Sequence, residues 1–408
     1  MRIVIFSHGH PTFSKGGAEM AAHHLFNGIN QTAEHEAWFV ARAPEKLMHL
    51  GTPVAALNER EYLIAGNAEI PNLTATIALG DDSDFAEMLR SMQPDVIHFH
   101  HYVWLGVEMI RAAKRVCPQA KIVITLHEYI AICMNSGQMI KTDGRLCYQS
   151  SPRECSQCFP DRTPEDFFLR ERYIKTYFNL VDQFISPSEF LRQRYIAWGI
   201  PADKIIVIEN GLPLEAKLPP RPVHPEELRG RFAYFGQITP FKGIDIILEA
   251  FAKLPKKLRK KVSLDIYGSG LEWQHESYRN KINQLLAETK GMVRYHGSYE
   301  PEELGRLMQP IDWVVMGSIW WENSPLVIQE AYKFGRPVIC PDIGGMAEKV
   351  EPGIGGKHFR ARDSLSLREL IETVILDTAL YEEIINNIPA PPLILEQTLL
   401  HLAQYELA

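Results

Sequence analysis

The chain has 408 residues, of which 46% are hydrophobic and 23% charged; this is an ordinary globular composition and excludes a disordered, collagenous or coiled-coil protein. With 43 Lys and Arg against 50 Asp and Glu the net charge is −7, which argues against a general nucleic-acid binder, since such binding rests on cations meeting phosphates. No run of about 18 uninterrupted apolar residues is present to span a bilayer. The apolar start Met1–Phe6 is too short for a secretory signal, so the expectation is a soluble, cytoplasmic protein.

In chain order, Arg2–Phe6, Glu36–Ala41, Asp95–Phe99, Lys121–Leu126, Gln183–Ser186 and Ile205–Ile208 read as strands. Their continuous Val/Ile/Phe runs are the pattern of strands buried on both faces of a parallel sheet. Between the first two, Ala18, Ala21, Leu25 and Ile29 mark one apolar helical face. The alternation restarts with Arg231–Phe235, Val262–Tyr267, Met292–His296, Asp312–Met316 and Pro337–Cys340, with helical stretches such as Ile244–Leu254 between. Two such blocks predict two doubly wound, Rossmann-like α/β domains facing each other across a cleft. The expected bounds are 1–210 and 231–388. A proline-dense linker, 211–230, separates them, and a tail, 389–408, is expected to pack back across the domains.

Chemistry is expected just after strands, where open parallel sheets bind ligands. Ser14-Lys15-Gly16-Gly17-Ala18-Glu19 opens the first helix, and Gly16 and Gly17 let backbone N–H groups approach an anion. His127 and Glu128 end the strand Lys121–Leu126. His98, His100 and His101 read as polar strand-end residues lining the cleft rather than a metal site. In the second half, Gly236-Gln237 through Lys242-Gly243 forms a strand–turn–helix junction whose lysine can meet a diphosphate. Gly268 and Gly270 follow the next strand, and Gly344-Gly345 a later one. Glu322 and Glu330 stand seven residues apart. Between them Ser324-Pro325 predicts a helix start with serine as N-cap, leaving the amides of Leu326, Val327 and Ile328 as a phosphate seat. Neither half carries G-x-G-x-x-G between its first strand and helix, which disfavours a dinucleotide oxidoreductase.

Four of six cysteines, Cys133, Cys147, Cys155 and Cys158, fall within 26 residues in a glycine- and proline-punctuated loop, 133–160. Their spacing is compatible with a structural zinc, two disulfides or free thiols. Lys253, Lys256, Lys257, Arg259, Lys260 and Lys261 form a basic run, which is either a solvated loop or a peripheral foothold on anionic lipid.

Together, Gly16-Gly17-Ala18-Glu19, His127, the Gly236…Lys242-Gly243 turn, Gly268-x-Gly270, Glu322-x7-Glu330 and Gly344-Gly345 resemble family 4 of the retaining glycosyltransferases, of GT-B fold. The resemblance implies a nucleotide-diphosphate sugar donor held mainly by the C-terminal domain, and a glycan or lipid-linked acceptor received by the N-terminal one. It implies that Glu330 binds the ribose hydroxyls, Glu322 the transferred sugar, and Lys242 with the amides after Ser324 the diphosphate. Gly17 would contact phosphate from the other domain, and His127 would face donor sugar and acceptor. No catalytic metal is implied, and retention would follow front-face attack. The setting it suggests is bacterial polysaccharide or lipopolysaccharide assembly. One departure is Gln237, where the family usually has Arg; Lys15 or Arg294 are candidates to supply the missing charge. The alternatives are a non-catalytic nucleotide-sugar-binding subunit and an epimerase of the same fold.

Overall fold

The computed structural model describes residues 1–14, 16–44, 47–48, 51–66, 73–224 and 226–407. The chain divides into two compact units, Met1–Leu212 with Pro392–Ala408, and Pro213–Pro391.

The first unit is built on eight strands: β1 (Arg2–Ser7), β2 (Glu36–Ala43), β3 (Val54–Ala56), β4 (Glu61–Ala65), β5 (Val96–Phe99), β6 (Lys121–Thr125), β7 (Gln183–Ser186) and β8 (Ile205–Val207). They run in the order β3-β4-β2-β1-β5-β6-β7-β8, all parallel except the β3–β4 pair. Ile3 to Phe6 of β1 are wholly buried, as a central parallel strand between helical layers requires. β3 and β4 were not expected from the pattern; β3 is half-exposed along its length and offers no continuous apolar run. The tail forms the helix Ile394–Glu406, which belongs to this unit. Gly28 lets it lie directly on the helix Gly17–Asn30, because a Cβ there would meet Thr398. Tyr405 reaches His98 Nδ1 at 2.6 Å, and Leu212 pairs with Leu393 where the chain re-enters.

The second unit has six parallel strands: β9 (Arg231–Phe235), β10 (Ser263–Tyr267), β11 (Val293–Gly297), β12 (Trp313–Val315), β13 (Val338–Pro341) and β14 (Gly356–Phe359). Their order is β11-β10-β9-β12-β13-β14. The fold class is therefore the expected one: two Rossmann-like parallel-sheet units. β14 escaped the sequence reading because Gly356-Lys-His-Phe carries a single large apolar residue, enough for an edge strand.

The described part of the proline-rich stretch is not free-running. Arg221 reaches Asp312 Oδ2 at 3.0 Å and Glu227 at 2.6 Å, Arg229 reaches Asp312 Oδ1 at 3.3 Å, and the Arg231 amide donates to Asp312 Oδ2 at 3.0 Å. Asp312 is fully buried at the start of β12, so one carboxylate fastens this segment to the sheet. Asp312→Ala leaves two guanidinium groups facing a vacated carboxylate site. It is expected to cost about 3–5 kcal/mol, read from denaturant unfolding of the full chain.

Candidate functional site

The carboxyl ends of the strands in the second unit bring together residues far apart in sequence. Lys242 lies after β9 and Glu322 after β12, yet Lys242 Nζ is 2.6 Å from Glu322 Oε1. The same oxygen accepts from Ser318 Oγ at 2.7 Å and Trp320 Nε1 at 3.0 Å. Glu322 is 5% exposed, and three donors satisfy this one oxygen. Two glycines make this geometry reachable. Gly243 sits in the left-handed region (φ +62°), and a Cβ there would strike the Gly317 carbonyl. A Cβ at Gly345 would strike the Asn323 carbonyl, while the Gly344-Gly345 turn holds the loop through Gly345 N–H to Glu322 O at 2.7 Å. Gly344-Gly345 and the Gly268 backbone, packed against Gly236, thus set loop on loop. Gly270 has a more open surround.

The predicted N-cap is corrected. Pro325, in extended backbone (φ −66°, ψ 117°), occupies the cap, and the helix runs Leu326–Lys333. Ser324 Oγ is buried without a hydrogen-bond partner. The Ile328 amide is also taken, by Pro325 O at 3.1 Å. Among the described residues only the amides of Leu326 and Val327 remain of the expected phosphate seat. Glu330 lies one turn in, half-buried, and among the described residues no hydrogen bond reaches its carboxyl. Burial pushes its pKa up to about 7; Lys333 opposes this, but is itself paired with Glu215 at 2.6 Å. Gln237 is exposed, and its carbonyl accepts from Tyr234. Arg294 is not available as a substitute cation: it makes two bonds, 2.7 and 2.8 Å, to Asp265. Lys15 lies outside the described residues. Arg362, which the sequence reading missed, donates to Ile319 O beside Trp320.

In the first unit, Gly16 caps the helix that starts at Gly17. Glu19, buried in its first turn, is 3.2 Å from His8 Nε2 and also accepts from Ser14 Oγ. Burial opposes ionisation, yet these contacts keep Glu19 below the usual carboxylate range. His8 packs on His101, ring centroids 3.8 Å apart, and His101 stacks on His127 at 5.4 Å. His127 Nε2 is 3.0 Å from His100 Nδ1. Burial lowers the His127 pKa to about 3, so the ring is neutral and offers hydrogen bonding rather than charge. His98, His100 and His101 are buried within the first unit. His8 was overlooked although it follows β1, the position that flagged His127. A further set, His10, His23 and Glu61, places three ligand-type atoms within 4.8 Å of one another.

Two family profiles match in tandem. "Glycosyltransferase Family 4" covers residues 15–216, and "Glycosyl transferases group 1" covers 221–390. The chain belongs to the GT-B glycosyltransferases. Among curated relatives, it is 28% identical over 186 residues to a lipopolysaccharide 1,2-N-acetylglucosaminetransferase of Salmonella typhimurium, covering 43% of this chain and 48% of that one. It is 25% identical over 400 residues to a glycogen synthase of Mycobacterium tuberculosis, covering 93% and 87%. The chain spans about half the length of the first two curated relatives it matches. Among solved structures, Anabaena Alr3699/HepE in complex with UDP and glucose superposes with a TM-score of 0.70 at 19% identity, covering 100% of both chains. Sucrose-phosphate synthase from Thermosynechococcus elongatus gives 0.69 at 18%, covering 99% and 98%.

In this glycosyltransferase the raised Glu330 pKa is also a stability statement. The unfolded carboxyl titrates near 4.5 and the folded one near 7, so ionisation costs the fold stability progressively between those values and fully above them. Glu330→Gln removes that cost. The variant is expected to gain melting temperature relative to the parent as pH rises from 4.5 to 8, measured by thermal unfolding across that range.

Proposed function

We propose that this glycosyltransferase moves a sugar from a nucleotide-diphosphate donor to a glycan or lipid-linked acceptor, with retained configuration and without a required divalent cation. The observation that carries the reading is the contact of Lys242 with the Glu322 carboxylate after parallel strands, followed by a helix whose first two amides and Glu330 carboxyl have no hydrogen-bond partner among the described residues. Donor-site chemistry follows from what each group can do. Glu330, once ionised, accepts from two neighbouring ribose hydroxyls. Leu326 and Val327 N–H groups and Lys242 meet the diphosphate, where negative charge grows as the C–O bond to the leaving phosphate breaks. Glu322 orients Lys242 and accepts from a sugar hydroxyl. The acceptor hydroxyl attacks from the leaving-group face, and its proton passes to the departing phosphate oxygen. No protein nucleophile is assigned.

Within the first unit, the Gly16-Gly17 helix start can offer backbone N–H groups to an anion, and His127 is a neutral hydrogen-bonding group. Gln237 supplies no charge; Arg362, whose guanidinium donates to the Ile319 carbonyl, is the candidate we add to offset that loss. UDP and UDP-glucose complexes of the Anabaena structures favour a nucleotide-sugar donor, and the Salmonella relative favours a lipopolysaccharide setting. No described helix is long and apolar enough to cross a membrane. Exposed Lys256, Lys257, Lys260 and Lys261 offer a peripheral foothold on anionic lipid, whereas Arg259 is partly spent on the Ala252 and Leu254 carbonyls.

A donor panel with detection of released nucleoside diphosphate and of product anomer by NMR tests the reading. Free diphosphate with an acceptor-dependent, retained-anomer product supports transfer; interconversion of donors without diphosphate release indicates an epimerase. Lys242→Ala is expected to lower kcat by about 10²–10³, the loss of one transition-state charge partner. Glu330→Ala is expected to raise donor KM by about 10-fold or more, the loss of two hydrogen bonds to a charged acceptor. Parent-like kinetics in both variants remove the assignment.

A further inference from the structure

Glycosyl transfer leaves the cysteine loop unexplained. Between β6 and the helix Pro164–Phe178, the chain runs with one short helix, Pro152–Cys158, and one isolated bridge, Ile140 to Leu146. An irregular excursion of this length is uncommon inside a domain and costs ordering entropy that little local structure repays. Yet it is ordered around one cavity, and Cys133, Cys147, Cys155 and Cys158 all line it, beside apolar Ile132, Met139 and Phe167. None of the four forms a disulfide. By contrast, Cys340 is a lone buried thiol, and Cys117 stands at the end of a helix.

Burial raises the Cys133, Cys147 and Cys155 thiols, Cys155 to about 11. Cys147 Sγ itself donates to the Gln149 carbonyl at 3.4 Å, as a neutral thiol does, and that proton must leave before the sulfur can bind a cation. Half-buried Arg170 donates to the Ala131 carbonyl at 2.7 Å, and Lys141, which lines the cavity, is paired with Glu154 at 3.2 Å. What carries the inference is the gathering of these four thiols, none of them in a disulfide, around one cavity.

We propose that Cys133, Cys147, Cys155 and Cys158 bind one zinc ion that clasps this loop onto the first unit. Tetrahedral thiolate ligation satisfies zinc without an open position, which makes the site structural. As placed here no three of the sulfurs lie mutually within 4.8 Å, so binding draws them inward about the cavity they already share. Each coordinating thiol gives up its proton, and binding therefore releases protons to solvent. The clasp bears on the site through Gly137, where a Cβ would meet Glu128 and the Ile130 amide directly after His127.

His10, His23 and Glu61 form a competing donor set in the same unit, so the experiment separates the two. Elemental analysis of the purified full chain is expected to give one zinc per chain, lost in Cys133→Ser and in Cys155→Ser and kept in His23→Ala. Cobalt substitution is expected to give an intense sulfur-to-metal charge-transfer band, which a His/Glu site lacks. Where the serine variants fail to fold, titrating the parent with a mercurial thiol reagent releases zinc to a chromogenic dye as the sulfurs react. Zinc retained by the cysteine variants but lost from His23→Ala, a parent mass lighter by two or four hydrogens, or four reactive thiols without metal each overturn the proposal. None of these outcomes bears on the glycosyl-transfer reading.

Discussion

Parallel strand pairing is the constraint on which both units depend. A parallel neighbour cannot be reached by a tight turn, so each strand is followed by a crossover that returns the chain to the opposite edge. Every strand in such a run ends at the same edge, and the loops leaving those ends meet there. This is why Lys242, 80 residues from Glu322 in sequence, can share its oxygen at 2.6 Å. It is also why His8, His101 and His127, which follow β1, β5 and β6, form one packed group.

Close approach at that edge requires backbone without side chains. At Gly243 and Gly345 the neighbour is another loop of the protein, so these glycines shape the site indirectly, by letting the Glu322 loop descend onto the turn after β13. The buried Glu322 carboxylate then works as a local anchor, gathering an ammonium, a hydroxyl and an indole N–H on one oxygen. Glu330 differs in kind. Among the described residues no donor reaches it, and burial raises its pKa to about 7.

Much of the architecture was legible because buried parallel strands announce themselves as unbroken apolar runs. Edge strands β3 and β14 were not, since one side of an edge needs little apolar cover. Of the site, the residue types and their positions after strands could be read, and Lys242 and Glu322 meet there. The cap at Ser324 was misread: a serine followed by proline fits a helix start equally well with either residue at the cap. The placing of Arg294 against Asp265 was invisible for another reason, because that pairing is made across neighbouring strands β10 and β11, not along the chain.

The sequence by itself determined the two-unit α/β class, the family, the strand order of events along the chain and the short list of chemical groups. Local apolar pattern and glycine placement carry that information without reference to distant partners. Only the tertiary structure decided the charge state and company of those groups. Burial made His127 neutral and Glu330 hard to ionise, and loop packing joined Lys242 to Glu322. It also turned four spaced cysteines into the lining of one cavity, because desolvation and distance exist only once the chain has folded.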